Sequence, residues 1–170
     1  MTRKLVISLA GAVVLLAGGT APATASESDS DQHCIAFVDD TTLVCAATPE
    51  EADAIFTATT GYVRVGDELP DGAARMLLAY SLATLYDAVG YGGSSYTFVR
   101  STDCDGSTIS GVSDLSTVGL GNAISSFLTY RTCTVRLWDG TGYSGSAYGY
   151  TTSQTSLPSF NNLASSARAR

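Results

Sequence analysis

The chain has very little histidine and lysine. His33 is the only histidine, no lysine follows Lys4, and no pair of cysteines has the CxxC spacing. With so little histidine, His-dependent catalytic triads and histidine-ligated zinc are disfavoured, and His33 itself is expected to be a solvated residue. The protein is therefore predicted not to be an enzyme. The scarcity of lysine supports no functional conclusion.

Only one long apolar run exists, and it lies near the N-terminus. Arg3 and Lys4 precede an almost wholly apolar stretch over residues 5–17, and Ala23-Thr24-Ala25 offers a small-x-small cleavage site. This pattern is typical of a secretory signal, and its apolar part is too short to span a bilayer. Residues 1–25 are therefore predicted to be a signal peptide. The remaining 145 or so residues are expected to be exported, soluble and extracellular.

Acidic residues are concentrated in one half of the chain, whose overall net charge is −7. Residues 26–85 carry 11 acids and 2 arginines, whereas residues 86–170 carry 5 of each. Such a chain is not expected to attract nucleic acid or anionic membranes over long distances. The neutral second half is also expected to lack the basic face that membrane-active toxins use.

The four cysteines are Cys34, Cys45, Cys104 and Cys133. An even number in an exported chain indicates disulfides, for which three pairings are possible. Local pairing, Cys34 with Cys45 and Cys104 with Cys133, fits the segmentation of the chain best. A metal or redox site is disfavoured by the spacing.

The segment 26–61 is predicted to form a disulfide-tied hairpin followed by a helix. The hairpin would turn at Asp39-Asp40, which places the two cysteines opposite each other. Thr48 with Pro49 and Glu51 would begin the helix as a capping box, and Gly61 would end it. A linker is expected over 62–82. The whole acidic segment has two open interpretations: a removable pro-segment or adaptor, and a structural cap on one sheet face.

The second half contains a repeat. Residues 86–93 match residues 138–145 at an offset of 52, and each copy is followed by a polar hexad, 121–126 and 161–166. From residue 83 onward the chain is rich in Gly, Ser, Thr and Tyr and contains no Glu or His. Short strands separated by turn residues predict an all-β sandwich.

This repeat resembles the βγ-crystallin Greek-key motif, in which an aromatic corner and a special glycine fold over the first hairpin. The resemblance covers a domain over 83–170, with motif one at 83–131 and motif two at 132–170. It implies an all-β, Greek-key β-sandwich of βγ-crystallin type, here with a small N-terminal β-β-α appendage. Glycines at 93 and 145 would occupy the sharp bend, where positive φ is tolerated.

The resemblance also implies calcium positions in the hexads. They are Asn122 and Ser125 in motif one, with Asn161, Asn162 and Ser165 in motif two. Gly121 supplies no side-chain ligand at the first position, and neither hexad contains an acid, so any binding is expected to be weak, in roughly the 10⁻⁴ to 10⁻³ M range. The alternative is that both hexads are Asn/Ser turns. A calcium-stabilised extracellular module is one functional hypothesis.

The preferred hypothesis is peptidase inhibition. Small exported bacterial proteins with two such motifs and disulfides resemble the secreted metalloproteinase inhibitors of actinomycetes, which implies an extracellular proteinase as partner and a monomeric protein. Motif one is longer than motif two because of an insertion around residues 103–116. The candidate inhibitory loops, residues 103–106 and 131–135, flank the predicted Cys104–Cys133 disulfide and contain Asp103, Asp105, Thr132 and Thr134. The alternative is that these loops are ordinary connections.

Overall fold

A computed structural model describes residues 31–170 as a helix and two β-sheets stacked in three layers. The predicted signal peptide lies outside the described residues, as do residues 26–30. No helix in the described part is long and apolar enough to cross a membrane. The elements are β1 His33–Phe37, β2 Thr42–Ala46, α1 Pro49–Thr60, β3 Val63–Val65, β4 Leu78–Tyr86, β5 Ser95–Arg100, β6 Ser110–Val112, β7 Ser126–Thr129, β8 Val135–Gly140, β9 Ser144–Thr151 and β10 Ser166–Ala169.

Sheet A has six strands and is built around the antiparallel pair β4 and β5. On one side β1 runs parallel to β5 and β2 runs antiparallel to β1. On the other side, the start of β4 pairs with the parallel strand β3 and its end pairs with the antiparallel strand β7. Sheet B has the order β6-β10-β8-β9.

The two motifs exchange their third strands. β6 belongs to motif one by sequence but pairs with β10 of motif two in sheet B. In the reverse direction, Gln154 of motif two forms a β-bridge with Phe127 in sheet A. This exchange interlocks the motifs, because sheet B contains β6 of motif one and sheet A is bridged by Gln154 of motif two. The predicted Greek-key β-sandwich is therefore confirmed.

The main core lies between the two sheets. Leu82, Leu85, Phe98 and Phe127 from sheet A and Leu137 from sheet B are fully buried there. Each such side chain contributes on the order of 1.5–3 kcal/mol by leaving water. Alternation along the strands explains most of the arrangement, because every second residue of a strand points to the same face. Leu82 and Leu85 are three residues apart, and a register shift between Ser81 and Ala83 in the β4–β5 pairing lets both face this core.

The N-terminal unit covers the other face of sheet A. Ala52 and Phe56 of α1 are fully buried there in a second core with Ile35 and Phe37 of β1. The intervening residues of β1 point the opposite way, and Cys34 is buried in the main core. The β-β-α appendage is present as predicted, and its first strand belongs to both cores.

The helix begins and ends where its caps place it. The hydroxyl of Thr48 accepts the N–H of Glu51 at 3.2 Å, and Pro49 opens the first turn. Gly61 adopts a left-handed conformation with φ of 76° and donates its N–H to the carbonyl of Thr57. Glycine tolerates this conformation because it has no Cβ.

The aromatic corners are nearly the same in both motifs. Tyr91 packs against Tyr86 with ring centroids 5.8 Å apart, and Tyr143 packs against Trp138 at 5.5 Å. Both corner tyrosines have positive φ, 66° and 62°. Non-glycine residues rarely adopt that conformation, so the stacking and the surrounding hydrogen bonds hold it in place.

Candidate functional site

The two hexads occupy equivalent loops just before β7 and β10. The second residue of each, Asn122 and Asn162, has a left-handed backbone with φ of 54° and 56°. Asparagine adopts this conformation more readily than most residues. The N–H of Asn122 bonds to the carbonyl of Ala164, and that of Asn162 bonds to the carbonyl of Ile124, so the loops are joined to one another.

Side chains of the hexads pair across the two motifs. The Ser165 hydroxyl donates to Oδ1 of Asn122 at 2.9 Å, and the Ser125 hydroxyl donates to Oδ1 of Asn162 at 3.1 Å. Ser125 also contacts the carbonyl oxygen of Ala123 at 3.3 Å. Four of the five predicted calcium positions are therefore brought together in two equivalent clusters. Asn161 is exposed beside the second cluster.

These clusters consist of neutral oxygens. Amide and hydroxyl oxygens are donor types that calcium accepts in proteins. In this structure they carry no charge, and each Ser hydroxyl is hydrogen-bonded to an Asn oxygen. Gly121 is required sterically, since a Cβ there would lie 2.9 Å from the Cβ of Ser116. The first hexad position of motif one therefore has no side-chain ligand.

The candidate inhibitory loops meet at a disulfide. Cys104 bonds to Cys133, and Cys34 bonds to Cys45, which is the local pairing expected from the sequence. Asp103 lies near both sulfurs of the Cys104–Cys133 bridge. Those sulfurs are bonded to each other, so the cluster is not a set of free thiolate ligands.

Arg131 links the disulfide-tied loops to the rest of the fold. Its guanidinium forms an ion pair with Asp103 at 2.5 Å and also donates to the carbonyls of Gly66 and Ser81. Its backbone N–H donates to the carboxylate of Asp67 at 2.7 Å. Arg131 therefore joins both candidate loops to the N-terminal half of the chain. The sequence placed Arg131 at the start of the second candidate loop but gave no sign of its contacts with Asp103, Gly66 and Ser81.

Asp105 organises the exposed loop that follows the disulfide. Its carboxylate accepts the backbone N–H groups of Ser107 and Thr108 at 2.9 and 2.6 Å, and the hydroxyl of Thr108 at 2.8 Å. The N–H of Thr108, then that of Ser107, holds the pKa of this carboxyl well below its usual range. The segment 105–109 is exposed throughout, and the side chain of Ile109 is 46% exposed.

The second candidate loop offers less free surface. The N–H of Thr134 donates to the carbonyl of Arg170, and the N–H of Arg170 donates back to the carbonyl of Thr134. Thr134 thus extends the backbone hydrogen bonding between β8 and β10. Thr132 is exposed at the turn beside Cys133.

His33 differs from its sequence-based expectation. It begins β1, is half-buried, and its Nδ1 lies 2.9 Å from the hydroxyl of Ser95. The pairing of β1 with β5 places it there, because His33 is directly opposite Ser95 in the register. That long-range pairing had no local signal in the sequence.

Comparisons with known proteins gave structural neighbours alone. No protein-family model matches the chain, and no curated protein matches it. The N-terminal domain of protein S is similar at 18% identity and a TM-score of 0.43, over 52% of this chain and 94% of that one. A βγ-crystallin domain from Flavobacterium johnsoniae is similar at 22% identity and a TM-score of 0.42, over 52% and 93% of the two chains. A βγ-crystallin from Ciona intestinalis gives 22% identity and a TM-score of 0.39, over 50% and 94%.

Proposed function

We propose that this protein is a secreted, non-enzymatic inhibitor of extracellular metalloproteinases and that segment 105–109 enters the enzyme cleft. The observation that carries the proposal is the construction of this segment. It is exposed, the Cys104–Cys133 bridge ties its base, and the carboxylate of Asp105 holds its backbone from within. Pre-organisation of this kind reduces the conformational entropy lost on binding.

Ile109 supplies the apolar anchor in this proposal. It is the large hydrophobic residue of the loop, and nearly half of its surface is exposed in the free protein. Burial of one such side chain in an enzyme pocket is a common source of binding energy at interfaces. The two disulfides suit an oxidising compartment, which agrees with action outside the cell.

The direct test is titration of a thermolysin-type metalloproteinase with the purified protein at one fixed calcium concentration. Stoichiometric, sub-micromolar inhibition by a chain that stays uncleaved is expected. If no proteinase of a representative metallo- and serine-enzyme panel is inhibited, the proposal is wrong.

Two matched disulfide variants locate the inhibitory segment. C104S/C133S frees the loop and should weaken inhibition by at least tenfold, whereas C34S/C45S removes a bridge distant from the loop in sequence and should leave inhibition nearly unchanged. Ile109→Ala is expected to weaken inhibition by roughly tenfold through loss of the anchor. Fluorescence of Trp138 verifies that each variant remains folded. Equal losses in both cysteine variants would contradict assignment of the loop.

A second candidate function is weak calcium binding by the hexads. It is favoured by the cross-motif pairs of Asn122 with Ser165 and Asn162 with Ser125. Calcium would stabilise the fold by binding the native state only, by about 1.4 kcal/mol at ten times Kd. Millimolar calcium, but not magnesium, should therefore raise the melting temperature.

Charge provides the sharper calcium test. Asn122→Asp and Asn162→Asp keep a residue that tolerates positive φ and add a carboxylate, so each should strengthen binding. Ser125→Ala, which removes one oxygen, should weaken it. Insensitivity of all variants to calcium would assign the hexads to turn structure alone.

A further inference from the structure

The outer face of sheet B carries a row of alternating arginine and aromatic side chains, which we term the arginine ladder. Arg168 stacks on Tyr143 with 3.6 Å from guanidinium carbon to ring centroid, and Arg170 stacks on Tyr150 at 3.7 Å. Arg136 lies between, 5.0 Å from the ring of Trp138 and 5.8 Å from that of Tyr150. The ladder runs in the order Tyr143, Arg168, Trp138, Arg136, Tyr150, Arg170.

The three arginines of the ladder lack acidic partners within residues 31–170. Their side chains donate no hydrogen bond there, and Nε of Arg136 is buried without a partner. By contrast, Arg64, Arg100 and Arg131 each form an ion pair with an aspartate.

Two of these charges face each other directly. Arg136 of β8 is opposite Arg168 of β10 in the strand register. Like charges in that position destabilise a sheet unless something compensates them. Stacking on aromatic rings compensates in part, and an anion lying over both guanidinium groups would complete the compensation.

Stacking also prepares these groups to bind an anion. A guanidinium with its face on a ring keeps its in-plane N–H groups available, and these match the oxygens of carboxylate, sulfate or phosphate. Gly111 of β6 leaves room for the arrangement, because a Cβ there would lie 2.7 Å from Cγ of Arg168 and 2.9 Å from the hydroxyl of Tyr143. The ladder is thus a fixed row of unpaired donors.

We propose that the arginine ladder binds a linear anionic polysaccharide whose units carry sulfate or carboxylate groups. The charges lie in a row along a sheet face, which suits an extended chain with repeated anionic groups. Complementarity of charge is local and supports the assignment, because three of the five arginines of residues 86–170 meet on this face, whereas 11 of the 16 acids of the chain lie in residues 26–85. This surface uses other residues than segment 105–109 and the hexads, so it is independent of the proposed inhibitory function.

Single-stranded nucleic acid is less favoured by the same observations. Its sequence-tolerant binding depends on open aromatic faces on which bases stack. Trp138 is only 7% exposed, and arginines cover a face of Tyr143 and of Tyr150. What the ladder offers outward is guanidinium edges, which recognise charge and in-plane oxygens.

The test uses Trp138, the only tryptophan of the chain, as an internal reporter. Titration with a sulfated heparin oligosaccharide should change its fluorescence saturably, and added salt should weaken binding. R168Q/R170Q is expected to lower affinity by roughly tenfold or more, since charge-assisted hydrogen bonds are lost. R75Q is the control for charge outside the ladder, because it removes one exposed positive charge there and should change affinity little; it is compared with the single variant R168Q as well as with R168Q/R170Q.

The conservative variant R168K/R170K separates geometry from charge. Lysine keeps the charge but not the planar fork, so an affinity between those of the native protein and R168Q/R170Q is expected. Circular dichroism verifies the fold of each variant. Any of three results would overturn the proposal: no binding of heparin oligosaccharide, an equal loss in R75Q and R168Q/R170Q, or tighter binding of single-stranded DNA or polyglutamate than of the sulfated oligosaccharide.

Discussion

The outer faces of the two sheets are covered in different ways, although their inner faces meet in one core. Sheet A is covered by α1, which buries Phe56 against Ile35 and Phe37 of β1. Sheet B has no covering helix among the described elements, and arginine stems and aromatic rings shield it instead. One repeated motif therefore supports a dry, covered face in one sheet and a charged, open face in the other.

This difference bears on the role of the acidic N-terminal unit. A removable segment would be expected to rest on a finished domain. Here, β1 pairs with β5 and places Cys34 in the main core, while its other face completes the core under α1. We therefore interpret the unit as a structural cap that is part of the sandwich, and its removal should expose apolar surface of sheet A.

The largest expected effect comes from breaking the covered face. Phe56→Ala should lower the free energy of unfolding by about 4 kcal/mol, because Phe56 is fully buried and truncation leaves a cavity. The measurement is urea unfolding followed by two signals. Trp138 fluorescence reports on sheet B, and far-ultraviolet circular dichroism includes the helix.

Ile55→Ala is the control, since Ile55 is the neighbouring residue on α1 and is 41% exposed. It should change the free energy of unfolding much less than Phe56→Ala. Both signals should shift together in Phe56→Ala if the unit is a cap. Loss of the helix signal at low urea with an unchanged Trp138 transition would instead indicate an independent, removable segment.

The correct sequence-based predictions rest on local signals. Thr48, Pro49 and Gly61 predicted the limits of α1, because caps act within one turn of the helix. The spacing of Cys34 and Cys45 around Asp39-Asp40 predicted a hairpin with the cysteines opposite each other, which the register shows. Such features depend on neighbours in the chain, so one sequence is enough to reveal them.

The missed features depend on contacts between distant segments. The parallel pairing of β1 with β5 joins residues 62 positions apart, and neither strand has a local sequence pattern that identifies its partner. The arginine ladder was missed for a similar reason. Counting charges gave a neutral second half, but the register of β8 and β10 gathers Arg136, Arg168 and Arg170 on one face. Net charge alone therefore does not reveal this row of arginines.

In the candidate site, too, contiguous features were predicted and contacts between distant segments were not. The hexads were recognisable because each is a contiguous pattern. Their cross-motif hydrogen bonds, such as that between Asn122 and Ser165, required the exchange of strands between the sheets. Likewise, the insertion near Cys104 was visible by length, whereas its ion pair with Arg131 became apparent only in the folded chain.

The next prediction tests the aromatic corner, which the two motifs share. Gly93 and Gly145 have φ of 75° and 81°, and a Cβ at either would collide with the carboxylate of the corner aspartate, Asp87 or Asp139. Alanine at either position should lower the free energy of unfolding by about 2 kcal/mol, from backbone strain and the displaced carboxylate. The two losses, measured by denaturant unfolding, should be similar.

Gly149→Ala provides the control for that pair. A Cβ added at Gly149 would meet no other atom within 4 Å, and the residue is exposed, so alanine there should be nearly neutral. A large loss at Gly93 with none at Gly145 would show that the corners differ in importance despite their matching geometry.

The smallest effect at neutral pH concerns the first aromatic residue of each corner, which is Tyr86 in motif one and Trp138 in motif two. Burial raises the pKa of Tyr86 to about 12, whereas its counterpart Trp138 does not titrate. A pKa above the reference value of 10 means that the fold favours the neutral phenol. Its contribution to stability is fully present below about pH 10 and is lost as the pH rises toward 12. Tyr86→Phe should therefore reduce the decline in stability over that range and change little at pH 7, as measured by thermal unfolding with circular dichroism.

Tyr96, whose pKa burial also raises to about 12, should sustain part of the decline, and adding Tyr96→Phe should reduce it further. Trp138→Phe should leave the slope with pH unchanged, and an equal change in slope there would contradict the assignment to Tyr86.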